Sequence, residues 1–277
     1  MRHEHRDRIV RRAVISLEGS PRRETFFSQP YAAGFEVWDA FDGRTGAGQD
    51  RFDVQAFQRR YGRAPLGGEI GCTLSHADLM ASFGAEVGRD DDLMLVAEDD
   101  VVFPPYAGQV ISGASHATRA GLILLGSSDE DWRNPNVWAR SKDAAQASFL
   151  SSPVAWVRGR GLYRVGPYHG SVWGTTLYLV NRGAARDVAQ FARIHVASWL
   201  ADDFATWHQA AGVEIHWLRP TVSGWDGQSE LDPGASRGGA PAGYSARSWG
   251  RPAWNRRWRR FKGGASATVE HVRSLVG

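Results

Sequence analysis

Short apolar runs of strand length alternate along this chain with polar stretches that carry helical spacing. Ala13 to Leu17 (AVISL) is mostly apolar, is stopped by Gly19, Ser20 and Pro21, and predicts a short buried strand. A helix is predicted from Arg22, and Phe35 to Ala40 (FEVWDA) predicts a second strand, ended by Asp42-Gly43. Residues 44–50 read as loop. Ile70, Leu74, Ala77 and Ala81 fall at i, i+4, i+7 and i+11, which predicts a helix over residues 67–87. Leu93 to Ala97 (LMLVA) is apolar throughout, as in a parallel strand covered on both faces, and Gly121 to Leu125 (GLILL) repeats that form. Residues 127–160 are polar and irregular and predict a long loop with a short helix. Gly174 to Val180 (GTTLYLV) predicts a strand. Asn181 to Phe191 predicts a helix with Asn181 as its cap, and Val213 to Leu218 (VEIHWL) predicts the last strand. Residues 223–250 are rich in Gly, Ser and Pro and read as a flexible loop or linker.

Strands alternating with helices define an α/β class, with a mostly parallel central sheet and helices on both faces. Three segments are expected. They are a basic N-terminal tail (1–12), a main domain (13–230), and a linker with a basic amphipathic C-terminal segment (231–277).

Composition narrows the function. The chain has 277 residues, 42% hydrophobic and 23% charged, as in ordinary globular proteins. No apolar run approaches the roughly 18 residues a membrane span requires. Residues 1–12 are charged and lack the apolar stretch of a secretion signal, so a cytoplasmic protein is expected. Cys72 is the sole cysteine, which excludes an intrachain disulfide and a multi-cysteine zinc cluster. It reads as a small core residue rather than a nucleophile. Lys142 and Lys262 are the only lysines, and neither lies in a glycine-rich phosphate loop. Between Arg251 and Lys262 lie six basic residues and no acid. Trp254, Trp258 and Phe261 interleave with them at i, i+4 and i+7. This stretch predicts peripheral attachment to an anionic membrane surface on the cytoplasmic face. The alternative is a solvated basic helix packing its aromatics on its own domain. Nucleic-acid binding finds no other support in the chain.

In open α/β sheets, ligands bind beyond the carboxyl ends of the strands. There stand Glu98, Asp99 and Asp100, directly after LMLVA. Adjacent carboxylates repel one another, and a hard divalent cation relieves that repulsion through oxygen ligands. Alternation puts Glu98 and Asp100 on one side, able to hold Mn²⁺ or Mg²⁺ against a diphosphate, and Asp99 on the other. A solvated acidic turn is the plain alternative.

Several segments in order resemble glycosyltransferase family 25, which includes lipooligosaccharide and collagen galactosyltransferases. They are AVISLEGSPRR (13–23), FEVWDAFDG (35–43), GGEIGCTLSHADL (67–79), LMLVAEDDVVF (93–103) and GTTLYLVNRGAARDV (174–188). The third, with its Gly-Glu-x-Gly-Cys-x-x-Ser-His pattern, is the most specific. The resemblance covers roughly residues 13–230. It implies a GT-A-like fold, a DXD-like acidic motif, and a nucleotide-sugar donor with UDP-galactose the commonest. It also implies inverting transfer to a glycan or lipid-linked glycan acceptor, as in lipopolysaccharide biosynthesis.

The resemblance carries roles residue by residue. Glu98 and Asp100 become metal-ligand candidates, and Asp99 a contact to the donor sugar or the metal shell. Arg23, after the first strand, suits phosphate or nucleotide, or is a surface arginine. Ser75 and His76 are expected to line the donor pocket, His76 being alternatively a buried member of a hydrogen-bond network. Gly68 and Gly71 read as sites of close backbone approach. Inverting transfer needs a base, and Asp202 and Asp203 are the candidates, with no choice between them and helix capping as the alternative for the pair. Gln228 and Ser229 resemble late family positions. Two competing classes remain, a metal-dependent phosphoesterase and a non-catalytic glycan-binding module using some of the twelve tryptophans.

Overall fold

A computed structural model describes residues 7–126, 148–168, 174–225, 264–273 and 275. Gln228, Ser229 and the basic stretch 251–262 lie outside them. The central sheet has eight strands. They are β1 (Ile9–Ser16), β2 (Glu36–Asp39), β3 (Leu93–Glu98), β5 (Leu122–Leu124), β6 (Ser152–Val157), β7 (Gly161–Pro167), β8 (Leu177–Asn181) and β9 (Ile215–Arg219). Their spatial order is β2-β1-β3-β8-β5-β9-β7-β6. A separate antiparallel ribbon joins β4 (Val101–Val102) to β10 (Gly224–Trp225).

The sheet is mixed rather than mostly parallel. β2, β1 and β3 run parallel, as do β5 and β9, but β8 is antiparallel to both β3 and β5, and β7 to both β6 and β9. Apolar runs fix burial, not direction, so the reversal of β8 is not written in GTTLYLV. It has a consequence for function. The carboxyl ends of β1, β2 and β3 and the amino end of β8 meet at one edge of the sheet.

Period-two alternation sorts the strand residues onto two faces. Val14, Leu93, Leu95, Ala97, Leu177 and Leu179 face one core, which also holds Phe26 of α1 (Arg22–Phe27) and Val110, Ile111 and Ala114 of α4 (Ala107–Ala117). Ala13, Ile15, Met94, Val96, Tyr178 and Val180 face the other. That core is closed by α3 (Gly67–Ala85), α5 (Arg182–Ile194) and α6 (Phe204–Gln209). Helices therefore cover both faces. Asn181 caps α5 by accepting from the Ala184 N–H, as its position suggested.

Other boundaries moved. β1 begins at Ile9, so the end of the basic tail is part of the sheet. Within 127–160, residues 152–157 form β6, an edge strand paired with β7 through a turn at Gly159, whose φ is +77°. Ala81, expected inward on α3, is exposed; Leu79, Met80 and Phe83 supply the buried contact. A third apolar cluster forms from Phe52, Phe57, Ile70, Leu74, Ala197 and Trp199. It binds α2 (Val54–Tyr61) and the segment before α6 to α3. Fully burying a large apolar side chain contributes about 1.5–3 kcal/mol. Ordering a backbone residue costs about 1–2 kcal/mol. This cluster can therefore hold an irregular segment of a few residues in place, and that segment carries Asp202 and Asp203.

Candidate active site

β3 ends at Glu98, whose side chain falls on the α3 side of the sheet and is 26% exposed. Three groups converge on its Oε1. The Thr175 hydroxyl donates to it, His76 Nε2 lies 3.4 Å away, and the Cys72 sulfur lies 4.0 Å away. Cys72 and His76 share one face of α3 because they stand four residues apart. His76 is fully buried, and its Nδ1 is 2.8 Å from the Tyr178 hydroxyl.

Burial first, then the carboxylates of Glu98, Asp202 and Asp100, push the Cys72 thiol well above its ordinary pKa, against a hydrogen bond with Thr175. A single half-buried thiol is thus within electrostatic reach of three acids from two distant parts of the chain. Tyr178 is raised well above its ordinary value by burial and then by Glu98 and Cys72. Cys72, expected in the core, lies in the site, held protonated and poorly nucleophilic.

Asp99 turns away from Glu98, but the strand ends at Glu98 and residues 99–100 form a turn, so alternation does not sort them: Asp99 and Asp100 both lie beside Arg22. The Asp99 Oδ2 accepts from the Ser16 hydroxyl at 2.6 Å and from the Ser20 hydroxyl at 3.2 Å. Arg22 sits 3.6 Å from Asp99 and 3.8 Å from Asp100, longer than a hydrogen-bonded ion pair. The Asp99 and Asp100 side chains are each 11% exposed. Glu98, Asp99 and Asp100 put three carboxylates at one strand end, and such oxygen donors fit a hard divalent cation.

The structure separates the paired aspartates. Asp202 accepts from the Gly174 N–H at 2.9 Å, beside Thr175, whose hydroxyl donates to Glu98. Asp203 caps α6 by accepting from the Thr206 N–H, and its Oδ2 accepts from the Tyr61 hydroxyl at 2.5 Å and from Arg60 at 3.2 Å. Tyr61 also accepts from the Leu200 N–H. Asp203 is therefore a cap and an anchor, and it is not brought to the acids.

Two other residues fall elsewhere than expected. Ser75 is fully buried; its hydroxyl donates to the Gly71 carbonyl and accepts from the Phe41 N–H. Both contacts tie α3 to the loop after β2, so the hydroxyl has no approach to a ligand. Arg23 donates to Asp39 at 2.5 Å and to the Ser16 carbonyl and hydroxyl, which leaves it at the margin of the site while Arg22 faces the acids. Close approach occurs at Gly71, where a Cβ would overlap the Phe41 carbonyl, and at Gly67 against Gly43. Ser16, Ser20, Arg22 and Thr175 escaped the sequence reading. Only the pairing of β1 with β3 and of β3 with β8 brings them to Glu98 and Asp99.

A mixed α/β sheet with acids at the carboxyl end of an inner strand, and a second acid delivered by a loop, has the layout of a GT-A-like glycosyltransferase. The model of glycosyltransferase family 25 (LPS biosynthesis protein) matches residues 10–205, and the chain belongs to that family. Membership makes it a glycosyltransferase, and implies a nucleotide-sugar donor and a glycan acceptor. The match ends inside α6, although β9 beyond it lies within the same sheet. No curated protein sequence matches the chain. No helix among the described residues is long and apolar enough to cross a membrane.

Proposed function

We propose that the protein is a metal-dependent, inverting glycosyltransferase that moves galactose from UDP-galactose onto a cell-surface glycan such as lipooligosaccharide. The observation that carries this reading is the meeting, at the carboxyl end of β3, of Glu98, which accepts from Thr175, with Asp202, which accepts from the neighbouring Gly174 N–H, while Asp99 and Asp100 follow directly on the strand. Glu98 and Asp100 would hold Mn²⁺ or Mg²⁺. When bound, that ion offsets charge on the departing diphosphate.

The protein's own groups do the rest. Asp202 takes the proton from the acceptor hydroxyl as its oxygen attacks the anomeric carbon. The bond from that carbon to the β-phosphate oxygen breaks, and the nucleoside diphosphate leaves with the electron pair. Asp203, gripped by Tyr61 and Arg60, keeps the segment bearing Asp202 in register with β3. Asp99 accepts from Ser16 and Ser20, which supports a role in accepting from hydroxyls of the donor sugar. Arg22 supplies positive charge beside the acids. The basic stretch 251–262 supports contact with an anionic membrane, where a lipid-linked acceptor resides.

The phosphoesterase reading calls for clustered histidines. His116, His195, His208, His216 and His271 form no metal-ligand cluster among the described residues, and His76 does so only with Cys72 and Glu98. A panel of nucleotide sugars, assayed for metal-dependent hydrolysis and transfer, tests the proposal. Turnover of UDP-galactose that stops on chelation supports it, whereas turnover of another nucleotide sugar alone overturns the donor assignment.

A further inference from the structure

We infer that Cys72, His76 and Glu98 form a thiolate-containing site for a borderline-soft divalent cation of the zinc type, distinct in chemistry from the oxygen site of the proposed reaction. The ligand atoms of these three residues all lie within 4.8 Å of one another. Zinc bonds of about 2.0–2.3 Å in tetrahedral geometry place nitrogen and oxygen ligands about 3.4 Å apart, and sulfur and oxygen ligands about 3.6 Å apart. The observed separations are 3.4 Å for His76 Nε2 to Glu98 Oε1 and 4.0 Å for the Cys72 sulfur to the same oxygen. The first already matches, and the second needs a small shift of one side chain.

The surroundings fit as well. The Tyr178 hydroxyl, 2.8 Å from His76 Nδ1, fixes the ring so that Nε2 points at Glu98. Metal-ligating histidines are held in this way through their other ring nitrogen. The i, i+4 spacing on α3 presents sulfur and nitrogen side by side, and β3 brings the carboxylate to them. One thiolate, one imidazole and one carboxylate make a three-ligand set with a position left for water or a phosphate oxygen. Nitrogen and sulfur donors favour zinc over manganese or magnesium. Binding displaces the thiol proton, so affinity rises with pH.

Glu98 belongs to both sites. Zinc bound here withdraws it from the proposed oxygen site, so zinc inhibits transfer and excess manganese relieves the inhibition. This consequence rests on the transferase reading, whereas the binding site does not. The test is therefore spectroscopic. Co²⁺ is titrated into the tag-free full-length protein, and the thiolate-to-cobalt charge-transfer absorption in the near ultraviolet is followed. One equivalent of Co²⁺ gives the band, one equivalent of Zn²⁺ bleaches it, and Tyr178→Phe weakens binding about tenfold. Cys72→Ser and Glu98→Gln, with folding verified by circular dichroism, lose it or shift its midpoint by about tenfold or more. Absence of the band in the wild-type protein, or an unchanged midpoint in both Glu98→Gln and His76→Gln, overturns the inference without touching the transferase proposal. Absence of sugar transfer with the band intact does the reverse.

Discussion

The Ser16 hydroxyl donates to Asp99 at 2.6 Å, tying the end of β1 to the acids that follow β3. The same hydroxyl accepts from Arg23 Nε at 3.2 Å, and Arg23 reaches on to Asp39 at the end of β2. The ends of three parallel strands are thus linked through one serine, which is 2% exposed. Ser16→Ala removes a donor from a mostly buried carboxylate. Hydrogen bonds to charged groups contribute about 1.5–3 kcal/mol, and a loss of that order in urea denaturation is expected. Wild-type stability in the variant would contradict the linkage.

Asp202 and Asp203 should separate cleanly under mutation. Asp202→Asn keeps the shape of the side chain and removes the proposed base, so transfer is expected to fall by about 100-fold or more while the melting temperature holds. Asp203→Ala removes a helix cap and the anchor to Tyr61 and Arg60, at about 0.5–2 kcal/mol of stability, and lowers turnover in the folded fraction far less than Asp202→Asn does. Steady-state kinetics beside thermal melts on both variants distinguish the two roles.

Tyr61 carries a pH signature. Burial first, then its hydrogen bond to Asp203, raises its pKa from 10.0 to about 12. The fold favours the neutral phenol, so its contribution is fully present below the unfolded value of 10.0. It is lost as pH rises to about 12, because the unfolded chain gives up the proton first. Denaturation curves on either side of that window should fall less steeply with pH for Tyr61→Phe than for the wild type.

The loop after β2 can approach α3 only because Gly71 lacks a Cβ. Gly71→Ala drives a methyl into the Phe41 carbonyl, and overpacking of this kind costs about 1–3 kcal/mol. A lower unfolding midpoint with residual activity is expected.

Much of this arrangement is legible in the sequence. Continuous apolar runs gave β3 and β5, Asn181 announced the start of α5, and three acids after a buried strand pointed to the edge proposed as the active site. The missed elements were of two kinds. α4 has the helical spacing Ala107, Val110, Ile111 and Ala114 and was open to detection, as was α2 through its cap Asp53 and Gly62. β6 and β7 carry Pro, Gly and Arg and are half exposed, so their pattern lacks the core signal. The site partners were harder to foresee. Ser16, Thr175 and Arg22 acquire meaning only through strand direction and register, which hydrophobic periodicity does not encode. Ser75 stood beside His76 in a family motif, yet a helix turns about 100° per residue, so the neighbour faces a different structure.

In the proposed reaction the acids at the carboxyl end of β3 and Asp202 form one catalytic centre. Its most direct test is turnover of UDP-galactose at saturating Mn²⁺ by the wild type and by Asp100→Ala, with folding checked in parallel. A folded variant with turnover reduced by about 100-fold or more is the predicted result. Near-normal turnover by that variant would contradict the assignment of the metal to this strand end.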